Sequence, residues 1–131
     1  MHILMLDQYF ATAGGGLGKR FFEIGRRLVE QGHQVTVISG NSELELSLGK
    51  NRIGLLQQDG MAVVVFNLDG KRKVEAGTRE RRRASSAFAR LAGRQGRQLP
   101  RPVMVLAASP PLSISKPALS LSRYYGVPLV M

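Results

Sequence analysis

Four short, largely apolar runs recur along the chain: Ile3–Leu6, Val35–Ser39, Met61–Phe66 and Val103–Ala107. They do not alternate strictly between polar and apolar positions, which is the pattern of strands buried on both faces of a parallel sheet. Val127–Met131 begins a fifth run of the same kind. Between the first two runs, Phe21, Ile24 and Leu28 repeat at helical spacing, with Phe22 and Val29 widening the stripe. Glu23, Arg26, Arg27, Glu30 and Gln31 take the other side, so the segment predicts an amphipathic helix that Gly32 ends as a left-handed cap. Asp59-Gly60 marks a turn ahead of the third strand, while Glu43–Leu48 reads equally as a short strand or a loop. Residues 67–77 read as an exposed loop. A weakly amphipathic helix follows from Thr78 to about Arg94, its apolar positions being Ala84, Ala87, Phe88 and Leu91. Pro100 and Pro102 punctuate, and Pro117 sits in the first turn of a last helix that Gly126 closes after Tyr125.

Strand and helix therefore alternate, and the expected class is α/β: a three-layer, Rossmann-like domain with a parallel sheet. Counted over five strands, the expected order is 3-2-1-4-5. Residues 1–131 read as one domain, with the basic loop and helix at 67–101 lying within it. A strand at the very end has no following helix to cover it, so the sequence is expected to be the front part of a longer protein.

Composition narrows the classes. With 44% apolar residues in 131, the chain can bury a core and is not of the disordered type. It has no cysteine, which removes disulfide scaffolds, thiolate metal sites and thiol nucleophiles. No apolar run is long enough to span a bilayer, and the opening residues lack the basic start and long apolar stretch of a secretory signal. A soluble, cytoplasmic protein is expected. Net charge is +10, but it is unevenly placed. Eleven basic residues between Lys71 and Arg101 face only Glu75 and Glu80, so nine of the ten net charges lie in that segment.

The most informative local feature is the glycine-rich stretch after the first strand, with Gly14, Gly15, Gly16 and Gly18 leading into Lys19 and Arg20. Glycines let backbone N–H groups approach a ligand closely, and the helix that follows presents partial positive charge to an anion. Arginine suits a bidentate phosphate contact, and lysine acts as a point charge. The stretch reads as a phosphate or diphosphate site; its plain alternative is a surface loop with solvated cations. A P-loop is disfavoured, because Ala13 stands where its first glycine belongs and Arg20 where its metal-binding hydroxyl belongs. The dinucleotide fingerprint fails as well, since its last glycine position is Phe21.

Ser109-Pro110-Pro111 follows the fourth strand. In the order 3-2-1-4-5 the connections leaving strands 1 and 4 diverge, and ligands bind in the crevice where they part. Gln8, Ser109 and Pro110 are accordingly candidates for lining that crevice, and Asp7 stands just beyond strand 1. His2 is expected to be exposed at a strand start, and His33 to serve a turn. No His and carboxylate spacing points to a metal, and no cofactor is implied. The basic segment, with Arg81, Arg82, Arg83, Arg90 and Arg94, reads as a solvated face, a nucleic-acid contact or a patch for an anionic membrane. Phe88 is the only aromatic residue in it, which disfavours single-stranded nucleic acid. Phe88 and Leu91 beside so many cations fit a helix lying on a membrane surface.

These residues resemble the start of the family 4 glycosyltransferases of the GT-B fold. The likeness is carried by His2–Leu6, Gln8-Tyr9-Phe10, Gly15-Gly16, Arg20, Glu23, Arg26–Leu28, Gly32-His33 and Val35–Ile38, and later by Ala108–Leu112 and Val127–Val130. It is strongest towards the branch that builds bacterial surface polysaccharides, including N-acetylfucosamine transferase-like enzymes. It covers about residues 1–66 and 103–131, and the basic middle poorly. The resemblance implies the amino-terminal, acceptor-binding domain of a retaining glycosyltransferase. Its partners would be a nucleotide-sugar donor, held mainly by a second domain, and a saccharide or lipid-linked acceptor. Gly15, Gly16 and Gly18 would approach the donor diphosphate, with Lys19 or Arg20 offsetting charge on the leaving group. Ser109 and Pro110 would line the cleft, and no metal is implied. Lacking a donor domain, residues 1–131 are expected to be inactive alone. The competing class is a non-catalytic nucleic-acid or anion-binding α/β module, supported by the basic segment.

Overall fold

The computed structural model describes residues 1–7, 19–40, 53–66, 78–108 and 114–131, with residues 19, 56, 58 and 78–85 described by backbone alone. Six strands form one sheet: β1 (His2–Leu6), β2 (Gln34–Gly40), β3 (Ile53–Gln58), β4 (Met61–Phe66), β5 (Met104–Ala107) and β6 (Leu129–Val130). Three helices pack on it: α1 (Lys19–Glu30), α2 (Thr78–Gly96) and α3 (Ser115–Tyr125). The sheet order is β3-β4-β2-β1-β5-β6. Setting β3 aside, this is the expected 3-2-1-4-5, and all of those pairings are parallel. The domain is a three-layer, Rossmann-like α/β fold.

Strand alternation sorts the core into two clusters. Ile3, Met5, Val35, Val37, Val63 and Val65 face α1 and pack with Phe22 and Met61. Leu4, Leu6, Ile38, Phe66, Val105 and Ala107 face the other way, against Phe88 and Ala92 of α2 and Ala118 and Leu121 of α3. Phe88 is fully buried and meets Phe66 edge to face at 6.1 Å between ring centroids. Burying such side chains is the main stabilising term, about 1.5–3 kcal/mol for each large one.

Three expectations are corrected here. First, β3 pairs antiparallel with β4 at the sheet edge, so the sheet is not wholly parallel. Asp59-Gly60 is the two-residue turn joining them, with φ of 49° and 82°, the positive pair that a tight hairpin turn requires. A Cβ at Gly60 would also stand 2.7 Å from Val29 Cγ1, so α1 closes over this turn. Second, Phe21, Phe22, Leu28 and Val29 of α1 do pack against the core, but Ile24 is 36% exposed and Gly25 is buried in its place. Gly25 lets the helix sit directly on the sheet, since a Cβ there would collide with Met61 Sδ and lie 3.5 Å from Met5 Sδ. Third, His2 is buried rather than exposed. Its Nδ1 donates to the Pro100 carbonyl at 3.0 Å, which leaves Nε2 to accept from the Thr36 hydroxyl at 2.8 Å.

Helix ends agree with the sequence. Gly32 and Gly126 both adopt left-handed backbone after α1 and α3, and the N–H groups of His33 and Val127 return to the carbonyls of Leu28 and Ser122. The segments 43–48 and 67–77 lie outside the described residues.

Candidate functional site

β1 and β5 lie side by side with Leu6 opposite Ala107. The Asp7 N–H donates to the Ile38 carbonyl at 3.1 Å and the Ala108 N–H to the Leu6 carbonyl at 2.9 Å, so the ladder continues to the carboxyl edge of the sheet. From that edge the chain leaves β1 and returns as α1 on one face. It leaves β5 and returns as α3 on the opposite face. The two connections therefore diverge at β1/β5, and this divergence opens the crevice in which open α/β sheets bind ligands.

Two polar side chains are buried at this edge. Asp7 is 3% exposed and Ser39 is fully buried. Asp7 extends the alternation of Ile3 and Met5, and Ser39 that of Val35 and Val37, so both stand on the face covered by α1, at the end where α1 begins. The Ser39 Oγ has no hydrogen-bond partner among the described residues, and a buried hydroxyl left so costs on the order of 1–3 kcal/mol. Strand ends in a pure packing unit favour apolar groups at such depth.

Lys19 and Arg20 open α1 directly at this edge, and no acidic residue stands in the first turn. Cations at the positive end of a helix work against its dipole, by about 0.3–1 kcal/mol each at a surface. The same placement favours an incoming anion. The Arg20 side chain is exposed and available to one. Gln8, Gly15, Gly16, Gly18, Ser109 and Pro110 lie outside the described residues. What the fold brings together is their flanks: Asp7 and Lys19 on one side, Ala108 and Ile114 on the other.

A second polar feature was not read from the sequence. Between the outer sides of α2 and α3 runs an open trough of about 790 Å³, lined by the small residues Ala89, Gly93 and Pro117 and by Arg90, Arg94 and Lys116. A neighbouring hollow of about 540 Å³ shares Arg97, Lys116 and Ser120 with it and adds Leu119, Arg123 and Tyr124. Arg97 Nη2 donates to Ser120 Oγ at 3.0 Å, and its guanidinium lies 5.3 Å from the centre of the Tyr124 ring. Of the expected patch, Arg90 and Arg94 are exposed in this trough, while Arg81, Arg82 and Arg83 lie in the first turns of α2, where backbone alone is described. Phe88 and Leu91 do not form an outward apolar face: Phe88 is core and Leu91 packs against the same cluster. A membrane-facing role for those two side chains is thereby overturned. Lys116 and Arg123 are remote from the basic segment in sequence, and only the i, i+7 spacing on a helix ending at Gly126 pointed to a shared face.

No family model and no curated protein matches the chain. Among solved structures it is similar to the carboxyl-terminal domain of a hydrogenase from Pyrococcus furiosus (residues 83–215), at 16% identity and a TM-score of 0.61, over 98% of this chain and 88% of that one. A second structure of the same domain (residues 78–226) gives 16% identity and a TM-score of 0.55 over 98% and 87%. The likeness is one of fold. Among the described residues no cluster of His, Asp or Glu is placed to hold a metal ion, and no helix is long and apolar enough to cross a membrane.

Proposed function

We propose that this domain is the acceptor-side half of a retaining glycosyltransferase of the GT-B type, transferring sugar from a nucleotide-sugar to a saccharide or lipid-linked acceptor at the inner face of a membrane. The supporting observation is the divergence of connections at β1/β5, with Lys19 and Arg20 at the head of α1 beside the end of β1. The glycine-rich sequence spans Asp7 to Lys19, the connection that leaves β1 at this point. In this reading the amides of that connection, the head of α1 and the Arg20 guanidinium meet the donor diphosphate. Charge grows on that diphosphate as the glycosidic bond to the nucleotide breaks, and preorganised donors aimed at it lower the barrier. A second domain supplies most of the nucleotide and sugar contacts. The resemblance of residues 1–66 and 103–131 to family 4 enzymes supports the same assignment.

The test is calorimetric titration of the chain with uridine diphosphate and with pyrophosphate, in chelator so that no metal assists. Binding is expected, and Arg20→Gln should weaken it about tenfold, the scale of one charge-assisted hydrogen bond. Affinity unchanged by that substitution would contradict the proposal.

A further inference from the structure

We propose that the outer face of α2 and α3 is a docking face for an anionic lipid surface, its headgroup phosphates seated among Arg90, Arg94, Arg97, Lys116 and Arg123. Charge is the first argument. These five cations line two adjoining hollows, and neither α3 nor the stretch of α2 from Ser86 to Gly96 contains a carboxylate. Like charges so gathered repel one another, and lipid phosphates relieve that repulsion.

The second argument is what stands between the cations. On α3, Lys116, Leu119, Ser120, Arg123 and Tyr124 fall at helical spacing on one outward face, where Leu119 is 43% and Tyr124 57% exposed. Basic side chains interleaved with an exposed leucine and tyrosine are the composition of helices that lie at a membrane interface. There the apolar groups reach the acyl boundary and the aromatic ring sits at headgroup level. A nucleic acid would use the cations but has no use for Leu119. The hollows offer one outward ring, whereas stacking platforms use several. α2 and α3 also form a single layer on one side of the sheet, as a planar partner requires.

Both helices begin at the carboxyl edge, so a membrane against this face would run alongside the β1/β5 crevice and present a lipid-linked acceptor to it from the side. The docking face rests on the proposed function only for that acceptor. Vesicle binding needs neither donor nor transfer, so its failure leaves the diphosphate site standing, and the reverse also holds.

The experiment is co-sedimentation of the full chain with vesicles of phosphatidylglycerol mixed with phosphatidylcholine, and with phosphatidylcholine alone, at one fixed ionic strength. Binding should require phosphatidylglycerol. Each cation near such a surface is worth roughly fivefold, so the double variant Arg94→Gln/Lys116→Gln should lower partitioning about 25-fold, with Arg94→Lys retaining it. The charge-matched variant Arg26→Gln/Arg27→Gln on α1 should change it by less than about fivefold. Leu119→Ser, which alters no charge, should lower it about fivefold through lost apolar burial. The proposal is overturned if the α1 variant loses as much as the trough variant, which would mean net charge alone acts. It is equally overturned if Leu119→Ser binds like wild type, or if a single-stranded oligonucleotide binds more tightly than the vesicles at the same salt. Far-ultraviolet circular dichroism of each variant establishes that it is folded.

Discussion

On one side of the sheet, α1 turns Arg20, Glu23, Arg26, Arg27 and Glu30 towards solvent, and Glu23 holds Arg26 at 2.7 Å. On the other side, α2 and α3 turn Arg90, Arg94, Arg97, Lys116 and Arg123 outward with no described carboxylate among them. Beneath those surfaces the two layers are built alike. α1 sits on the sheet through Gly25, and α2 meets α3 through Gly96, where a Cβ would stand 2.5 Å from Leu121 Cδ1. The packing is comparable while the surface charge is not. A layer can thus be held by its buried face while its outer face carries charges that the fold does not need.

The strongest way to break this comparison is to attack the buried face of the cationic layer. Phe88→Ala removes a ring that is fully buried against Phe66. It should lower unfolding free energy by about 3–5 kcal/mol in urea titration. A loss below about 1 kcal/mol would return the Phe88 side chain to the surface, as the sequence pattern had it.

A smaller effect is expected where α3 is tied to the end of α2. The Tyr125 hydroxyl donates to the Gly96 carbonyl at 2.5 Å and lies 3.0 Å from that of Leu99. Burial, reinforced by the neighbouring Tyr124, raises the Tyr125 pKa above the ordinary value of 10.0. The folded state therefore favours the neutral phenol. Its contribution is fully present below pH 10.0 and is lost as pH rises through the raised value. Tyr125→Phe should cost about 1 kcal/mol at neutral pH and flatten the alkaline fall in stability. An unchanged alkaline limb would show that this hydroxyl does not titrate with folding.

Much of this was legible from residues alone, for physical reasons. β1, β2, β4 and β5 are buried on both faces and read as continuous apolar runs, and parallel strands joined by helices permit few orders. β3 was missed because Gly54, Gln57 and Gln58 dilute its pattern, although Asp59-Gly60 between two apolar stretches was already a hairpin signal. On α1 only Ile24 was misplaced, because a glycine contributes nothing to an apolar stripe, yet at Gly25 the helix sits directly against Met61 and Met5. His2 is buried because a carbonyl and a hydroxyl from distant segments satisfy both ring nitrogens, which no local pattern reveals. The crevice followed from topology, while the trough needed two helices brought together, since Arg94 and Lys116 line it together although far apart in sequence.

The division between the two layers is tested most directly by the unfolding free energy of Arg90→Gln/Arg94→Gln beside that of Glu23→Gln, in urea at low salt. Removing two crowded cations should leave stability unchanged or raise it by about 0.5 kcal/mol, whereas removing the partner of Arg26 should lower it slightly. A loss of about 1 kcal/mol or more in the arginine variant would mean that these cations hold the fold together and are not held ready for a partner.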